Sequence, residues 1–313
     1  MIPVTSPRII IVCGPTASGK SELGVRLAQK LGGEIVNADS LQIYRGMDIG
    51  TAKPTPEEQR GVPHHLIDVA DPDQPFSAAD FAAAAQQAIS AIIARGKRPI
   101  IVGGTGLYIR ALLHGLVDSP SGDETMRREL HAEAQARGNQ AMFDRLQQVD
   151  PELAQRTHPN NLVRIIRALE VFHLTGIPLS RYQQEHGFSG QCFHSLQIGI
   201  RVDRPELYSR IDARVDRMLA SGLLAEVKGL LDQGYGPEQK AMNSIGYKET
   251  SAFLAGEYVL DEATRLIKRN TRHYAKRQLT WFNSVSDILW LEYPENFDTI
   301  LVHAIDFIDH QEA

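Results

Sequence analysis

Gly14-Pro15-Thr16-Ala17-Ser18-Gly19-Lys20-Ser21 spells G-x-x-x-x-G-K-[ST], and that pattern leaves a chain few ways to fold. A buried strand must end at it and a helix must start from it. Successive backbone N–H groups and the positive helix end then surround a polyphosphate. The flanks supply both: Arg8-Ile9-Ile10-Ile11-Val12-Cys13 is an apolar run of strand length, and Ser21 to Leu31 has helical spacing stopped by Gly32-Gly33. Lys20 is placed to reach the outer phosphoryl oxygens, and the Ser21 hydroxyl to ligate Mg2+. A chance glycine-rich turn is the alternative, and the agreement of motif with flanks speaks against it.

The same alternation continues along the chain. Glu34-Ile35-Val36-Asn37-Ala38 predicts a strand ending at Asp39. Ser77-Ala78-Ala79-Asp80 predicts a capped helix start, and that helix stops at Gly96. Arg98 to Val102, Leu196 to Val202 and Ile288 to Leu291 predict further strands. About 119 to 194 is rich in Arg, Gln and Glu at helical spacing and holds no convincing strand. The expected fold class is therefore α/β, a P-loop NTPase-like parallel sheet core with helices on both faces and an inserted all-α domain. The core is expected at 1–118 and 195–313, and the insertion at 119–194.

Composition narrows the setting. The 313 residues carry no apolar run of membrane-spanning length, and Met1 to Thr5 lacks the charged and then apolar pattern of a leader. Two cysteines, Cys13 and Cys192, make neither a metal knuckle nor a disulfide framework, which suits a reduced, cytoplasmic protein. A net charge of −5 argues against indiscriminate nucleic-acid binding but leaves room for a local basic face.

A nucleotide hydrolase carries a second apolar strand ending in a carboxylate that supports the metal. Here Ile100-Ile101-Val102 ends in Gly103-Gly104-Thr105 instead. The glycines suit close backbone approach to a ligand, and Thr105 offers a hydroxyl where open α/β sheets bind substrate. A tight turn with a helix N-cap is the alternative. Asp39, expected beside the phosphate loop in the usual strand order, is the natural proton acceptor, with a plain N-cap again the alternative.

Several further stretches resemble one family. They are Asn37 to Lys53, Pro63-His64-His65-Leu66-Ile67-Asp68, Gly103 to Tyr108, Arg164 to Val171 and Ser244 to Glu249, all in register with the phosphate loop. Nearly the whole chain resembles the bacterial tRNA dimethylallyltransferases, which prenylate the adenosine beside the anticodon. The resemblance implies dimethylallyl diphosphate, rather than ATP, on the phosphate loop, with Mg2+ at Ser21. It implies Thr16, Lys20 and Arg214 stabilising the departing diphosphate, and Asp39 taking the proton of the N6 amine of adenosine-37. That base is extruded from its stacked loop to be reached. It further implies a monomer and tRNA contacts at Asp39, Ser40, Leu41, Gln42, Thr105 and Arg127. Contacts are also implied at Val163, Arg164, Ile165, Ile166 and Arg167 in the insertion, and at Ser244, Ile245, Gly246, Tyr247, Lys248 and Glu249. The family commonly carries Asp and then Gln-Arg where this chain has Asn161 and Val163 before Arg164, and a valine side chain cannot hydrogen-bond a base edge.

Independently of the resemblance, Arg265, Lys268, Arg269, Arg272, Lys276 and Arg277 recur at three- and four-residue spacing, giving one basic helical face with a near-absence of acidic partners. This points to RNA phosphates rather than a plain solvated face. His64 and His65 diverge on a strand and suit structural or substrate-lining roles; His158, His173, His186 and His273 have no partners at ligand spacing. The competing functions are a small-molecule kinase with a helical lid, disfavoured by the missing carboxylate, and an RNA-binding module with a vestigial loop, disfavoured by the presence of Lys20, Ser21 and Asp39.

Overall fold

The computed structural model describes residues 7–117, 120, 122–186 and 192–309. Met1 to Thr5, residue 119 and the side chain of His186 lie outside them. The chain divides into two compact units, Met1–Leu113 with Cys192–Ala313, and His114–Gln191. Both boundaries fall a few residues from those expected.

In the first unit, β1 (Arg8–Cys13), α1 (Lys20–Leu31), β2 (Gly33–Asn37), α2 (Pro56–Gln59), β3 (His64–His65), α3 (Ala78–Ala94), β4 (Arg98–Gly103) and α4 (Gly106–His114) come before the insertion. The second unit is built of α5 (Glu124–Val149), broken at Gly138 where φ is +82°, α6 (Pro151–Gln155), α7 (Leu162–Thr175) and α8 (Leu179–His186). The chain returns through β5 (His194–Arg201), α9 (Arg204–Ala220), α10 (Leu223–Asp232), α11 (Tyr247–Leu254), α12 (Leu260–Phe282), β6 (Ile288–Glu292) and α13 (Phe297–Asp309).

All six strands run parallel, in the order β3-β2-β4-β1-β5-β6. Their alternation sorts the side chains onto two covered faces. Ile9, Ile11, Val36 and Ile101 pack with Phe81, Ile89 and Leu112 on one side; Ile10, Val12, Ile35 and Val102 pack with Leu23, Leu27 and Ile300 on the other. The Ser77 cap forms as expected: its Oγ accepts the Asp80 N–H at 3.2 Å and the Asp80 carboxylate accepts the Ser77 N–H at 2.8 Å.

The strand order corrects one expectation. β4 lies between β2 and β1, so Asp39 is separated from the phosphate loop by the Gly103-Gly104-Thr105 edge. The parallel arrangement nonetheless brings the loops after β1, β2 and β4 to one carboxyl edge, where such sheets hold ligands.

Candidate active site

The phosphate loop takes the left-handed backbone that its glycines permit. Gly14 and Gly19 have φ of +147° and +97°, and Ala17 between them has +64°. Ser18 Oγ is fully buried inside the loop with no hydrogen-bond partner among the described residues, and a Cβ on Gly14 would sit 3.1 Å from it. An unsatisfied hydroxyl within a cradle of backbone donors marks a place built for a polar guest. Lys20 folds back over the loop to the Pro15 carbonyl at 3.4 Å, and Ser21 is exposed in the first turn of α1.

Gly103 and Gly104 bring the three loops together, though not in the way expected of them. A Cβ on Gly103 would lie 2.2 Å from the Ala38 carbonyl oxygen, and one on Gly104 would lie 2.3 Å from Gln278 Nε2 and 3.2 Å from the Gly14 carbonyl. The space is taken by protein rather than held open for ligand. Thr105 Oγ1 accepts the Ser40 N–H at 3.1 Å, so its hydroxyl ties the β4 edge to the turn after Asp39.

Asp39 caps a turn rather than a helix. Its Oδ1 accepts the N–H groups of Leu41 at 2.9 Å and Gln42 at 3.4 Å, which fixes the carboxylate as a turn cap. Among the described residues no hydrogen bond falls on Oδ2. Two cations bear on this carboxylate. Burial lowers the Lys20 pKa to about 8, against the attraction of Asp39 and with the repulsion of Arg214. Burial likewise lowers that of Arg214 on α9, with Asp39 opposing. Cys13, beneath the loop, has its thiol pushed up to about 12 by burial and is inert.

Two residues of α12 reach this edge and were not anticipated. Gln278 Oε1 accepts the Thr16 N–H at 2.9 Å and its Nε2 donates to the Gly104 carbonyl at 2.9 Å, bridging phosphate loop and β4 edge. Tyr274, one turn earlier, lies beside Thr105 and Gln278, and burial raises its pKa so that the phenol stays protonated. The signal was present: Gln278 is a polar residue on the buried stripe of Ala263, Ile267, Ala275 and Phe282.

The stretches expected at tRNA are differently disposed. Ser40 and Leu41 are half-buried beside Asp39, whereas Gln42 is buried, its Nε2 donating to the Thr51 and Ala52 carbonyls at 3.2 and 3.1 Å. In the 244–249 stretch Ser244 and Ile245 are half-buried and Lys248 is exposed, but Gly246, Tyr247 and Glu249 are buried. The Tyr247 hydroxyl donates to Glu226 at 2.6 Å. The Glu249 carboxylate accepts the Gly246 N–H at 2.8 Å and the Asn270 amide at 2.7 Å. The Tyr247 and Glu249 side chains thus bond within the protein.

Within the second unit, Ile165 and Ile166 are core residues of α7, while Val163 is 77% exposed. Arg127 and Arg167 converge on the fully buried Glu170 at 2.8 and 2.6 Å. Arg164 is half-buried in the first turn of α7. Asn161 is the N-cap of α7, its side chain accepting the Arg164 N–H at 3.4 Å, a task that Asn and Asp perform equally.

The expectation that the basic face of α12 lacks acidic partners is overturned. Arg272 pairs with Asp212 at 2.8 Å and Lys268 with Asp216 at 2.6 Å, both carboxylates on the neighbouring α9, and Arg265 pairs with Glu262 on its own helix at 2.6 Å. Arg269, Lys276 and Arg277 remain exposed. His65 engages the buried Glu34 at 2.7 Å, which Arg95 also holds at 2.6 Å, and His64 contacts the Val62 carbonyl at 2.8 Å.

Comparison with known proteins shows the family. The family described as IPP transferase matches residues 42–285. tRNA dimethylallyltransferase 1 of Pelobacter propionicus is 71% identical over 303 residues, covering 97% of this chain and 98% of its own. tRNA dimethylallyltransferase 2 of Geotalea uraniireducens is 61% identical over 300 residues, covering 96% and 97%. Among solved structures, the full-length tRNA isopentenylpyrophosphate transferase of Bacillus halodurans is 42% identical with a TM-score of 0.72, covering 96% of this chain and 97% of its own. A eukaryotic dimethylallyltransferase acting on tRNA is 31% identical with a TM-score of 0.80, covering 98% and 82%. With full-length relatives at this identity and a fold shared end to end, the chain belongs to the IPP transferase family.

Proposed function

We propose that the chain transfers the dimethylallyl group of dimethylallyl diphosphate to the N6 amine of adenosine-37 in tRNA, giving N6-(dimethylallyl)adenosine and diphosphate. Its relatives are tRNA dimethylallyltransferases. The observation that carries this reading to particular residues is Asp39: one oxygen is anchored by two backbone N–H groups, the other takes no hydrogen bond among the described residues, and Lys20 and Arg214 bear on the same carboxylate.

In this reading the phosphate loop, Gly14 to Ser21, cradles the diphosphate. Lys20 and Arg214 repel one another, which is a cost in the free protein and becomes an advantage once an anion lies between them. The N6 lone pair attacks the allylic carbon, the carbon–oxygen bond breaks with its electrons passing to the diphosphate, and the amine proton goes to Asp39 Oδ2. Charge on the departing oxygens is met by Thr16, Lys20, Arg214 and the loop N–H groups. Thr105 holds the Ser40 turn so that the carboxylate keeps its aim.

Mg2+ suits this site by donor chemistry: the exposed Ser21 hydroxyl and the diphosphate are hard oxygen donors, and water completes the set that Mg2+ prefers. When bound, the ion neutralises charge on the diphosphate. We assign tRNA contact to the exposed Arg269 and Lys276, to Ser40 and Leu41 beside Asp39, and to Val163 and Arg164 of the second unit. We place the reaction in the cytoplasm, with the chain acting as a monomer; among the described residues no helix is long and apolar enough to cross a membrane.

Asp39→Ala tests the reading. It is expected to leave tRNA affinity within about twofold and to lower the single-turnover rate by about 10²–10⁴-fold, the usual worth of a positioned base. A rate within a factor of a few of wild type removes Asp39 from the mechanism.

A further inference from the structure

One carboxylate on α10 organises a loop that belongs to the active site. Glu226 Oε2 accepts the N–H groups of Asp48 at 3.0 Å and Ile49 at 2.7 Å, and Oε1 accepts the N–H of Gly50 at 3.0 Å and the hydroxyl of Tyr247 at 2.6 Å. Three consecutive backbone N–H groups turned to one point form a nest for an anion, and here the anion is a side chain. The fit needs Gly50, since a Cβ there would lie 2.4 Å from the Tyr247 ring. Burial and the Glu226 charge hold the Tyr247 phenol protonated, so it remains a donor.

The clamp also fixes the next residues of the chain. The Thr51 carbonyl accepts Arg214 Nη2 at 3.2 Å, which among the described residues is the one hydrogen bond of that guanidinium, and it also accepts Gln42 Nε2. Ala52 comes next, in the left-handed region with φ of +47°. A residue with a Cβ persists there only where its surroundings over-determine it. Glu226 holds the loop ahead of Ala52, Gln42 takes the Ala52 carbonyl, and Lys53 Nζ behind it reaches the Tyr44 carbonyl at 2.8 Å and the carboxylates of Asp48 and Asp68.

We propose that Glu226 is a positioning residue for the transfer reaction: by clamping Asp48 to Gly50 it aims the Thr51 carbonyl at Arg214 and so sets where the guanidinium meets the departing diphosphate. The inference rests on the proposed role of Arg214 in meeting that diphosphate. Glu226 touches no reacting atom, and its effect on rate runs through Arg214.

A double-mutant cycle tests this in the full-length enzyme, with kcat and the KM values for tRNA and dimethylallyl diphosphate measured separately. Glu226→Gln keeps the volume but turns an amide donor toward backbone donors. It is expected to lower kcat by about 10- to 100-fold, the scale of a misplaced catalytic group, with KM for tRNA within twofold. Tyr247→Phe, which removes one of the four bonds and leaves the fold packed, should show a smaller loss of the same kind. In an Arg214→Ala background Glu226→Gln should cost less than about twofold further. Losses that multiply, or an unchanged kcat in both Glu226→Gln and Tyr247→Phe, overturn the inference while leaving the role of Arg214 intact. An Arg214→Ala enzyme with wild-type kcat overturns the role of Arg214 and the inference with it.

Discussion

At the scale of single residues, the site is governed by cations kept where water would rather have them. Lys20 is half-buried beside a second cation, and its loss of water outweighs the attraction of the Asp39 carboxylate, so its pKa falls from 10.5 to about 8. The consequence for rate has a definite sign. Below about pH 8 Lys20 is an ammonium and can meet the diphosphate; above it the side chain becomes neutral and that attraction is lost. The kcat/KM for dimethylallyl diphosphate, which reports the free enzyme, should therefore fall on the alkaline side with a midpoint near pH 8. Lys20→Arg should move that limb beyond the measurable range, because guanidinium stays charged. A pH–rate profile on both proteins checks this, and an alkaline limb unchanged in Lys20→Arg assigns the titration to another group. Lys20→Ala should lower kcat itself by about 10²–10³-fold, since the charge it meets grows in the transition state.

Among the elements, α12 has two faces with two tasks. Its inner face delivers Gln278 and Tyr274 to the phosphate loop and the β4 edge, while its outer face carries the basic residues. The structure divides those cations. Arg272 and Lys268 are spent on Asp212 and Asp216 of α9, the helix that carries Arg214, whereas Arg269 and Lys276 stand exposed. Arg269→Gln and Lys276→Gln should each weaken tRNA binding and flatten the dependence of log affinity on log salt by about one unit or less. Arg272→Gln should lower the melting temperature instead and change that slope less. Titrations of tRNA at several salt concentrations, beside thermal melts, separate the two groups; slopes unchanged from wild type in all three variants would return the whole face to a solvated one.

For the molecule as a whole, legibility in the sequence tracks the range of the interactions. The phosphate loop, its strand and helix, the Ser77 cap and the helical character of the second unit are set by residues near one another, so periodicity and caps disclose them. Asp39 was recognisable from its place after β2. That β4 would come between β2 and β1 was not, because strand order is settled by packing across the sheet. Gln278 meets Thr16 across 262 residues of chain, and Glu226 meets Ile49 across 177, so neither pairing leaves a local pattern. The basic face of α12 was visible, but its partners were not, since Asp212 and Asp216 come from a separate helix. Similarly, the helical spacing of the insertion does not by itself reveal that Ile165 and Ile166 face its core.

The central claim is that this chain moves a dimethylallyl group onto tRNA, and one assay addresses it without any variant. Purified protein is incubated with Mg2+, dimethylallyl diphosphate labelled in its allyl group and unmodified tRNA carrying adenosine-37, beside the same tRNA with guanosine at that position. The expected result is label on the RNA that digests to N6-(dimethylallyl)adenosine, released diphosphate in equal amount, and no label on the guanosine transcript. RNA that stays unlabelled while labelled donor is recovered intact, with phosphoryl transfer from ATP to a small acceptor in its place, would contradict it.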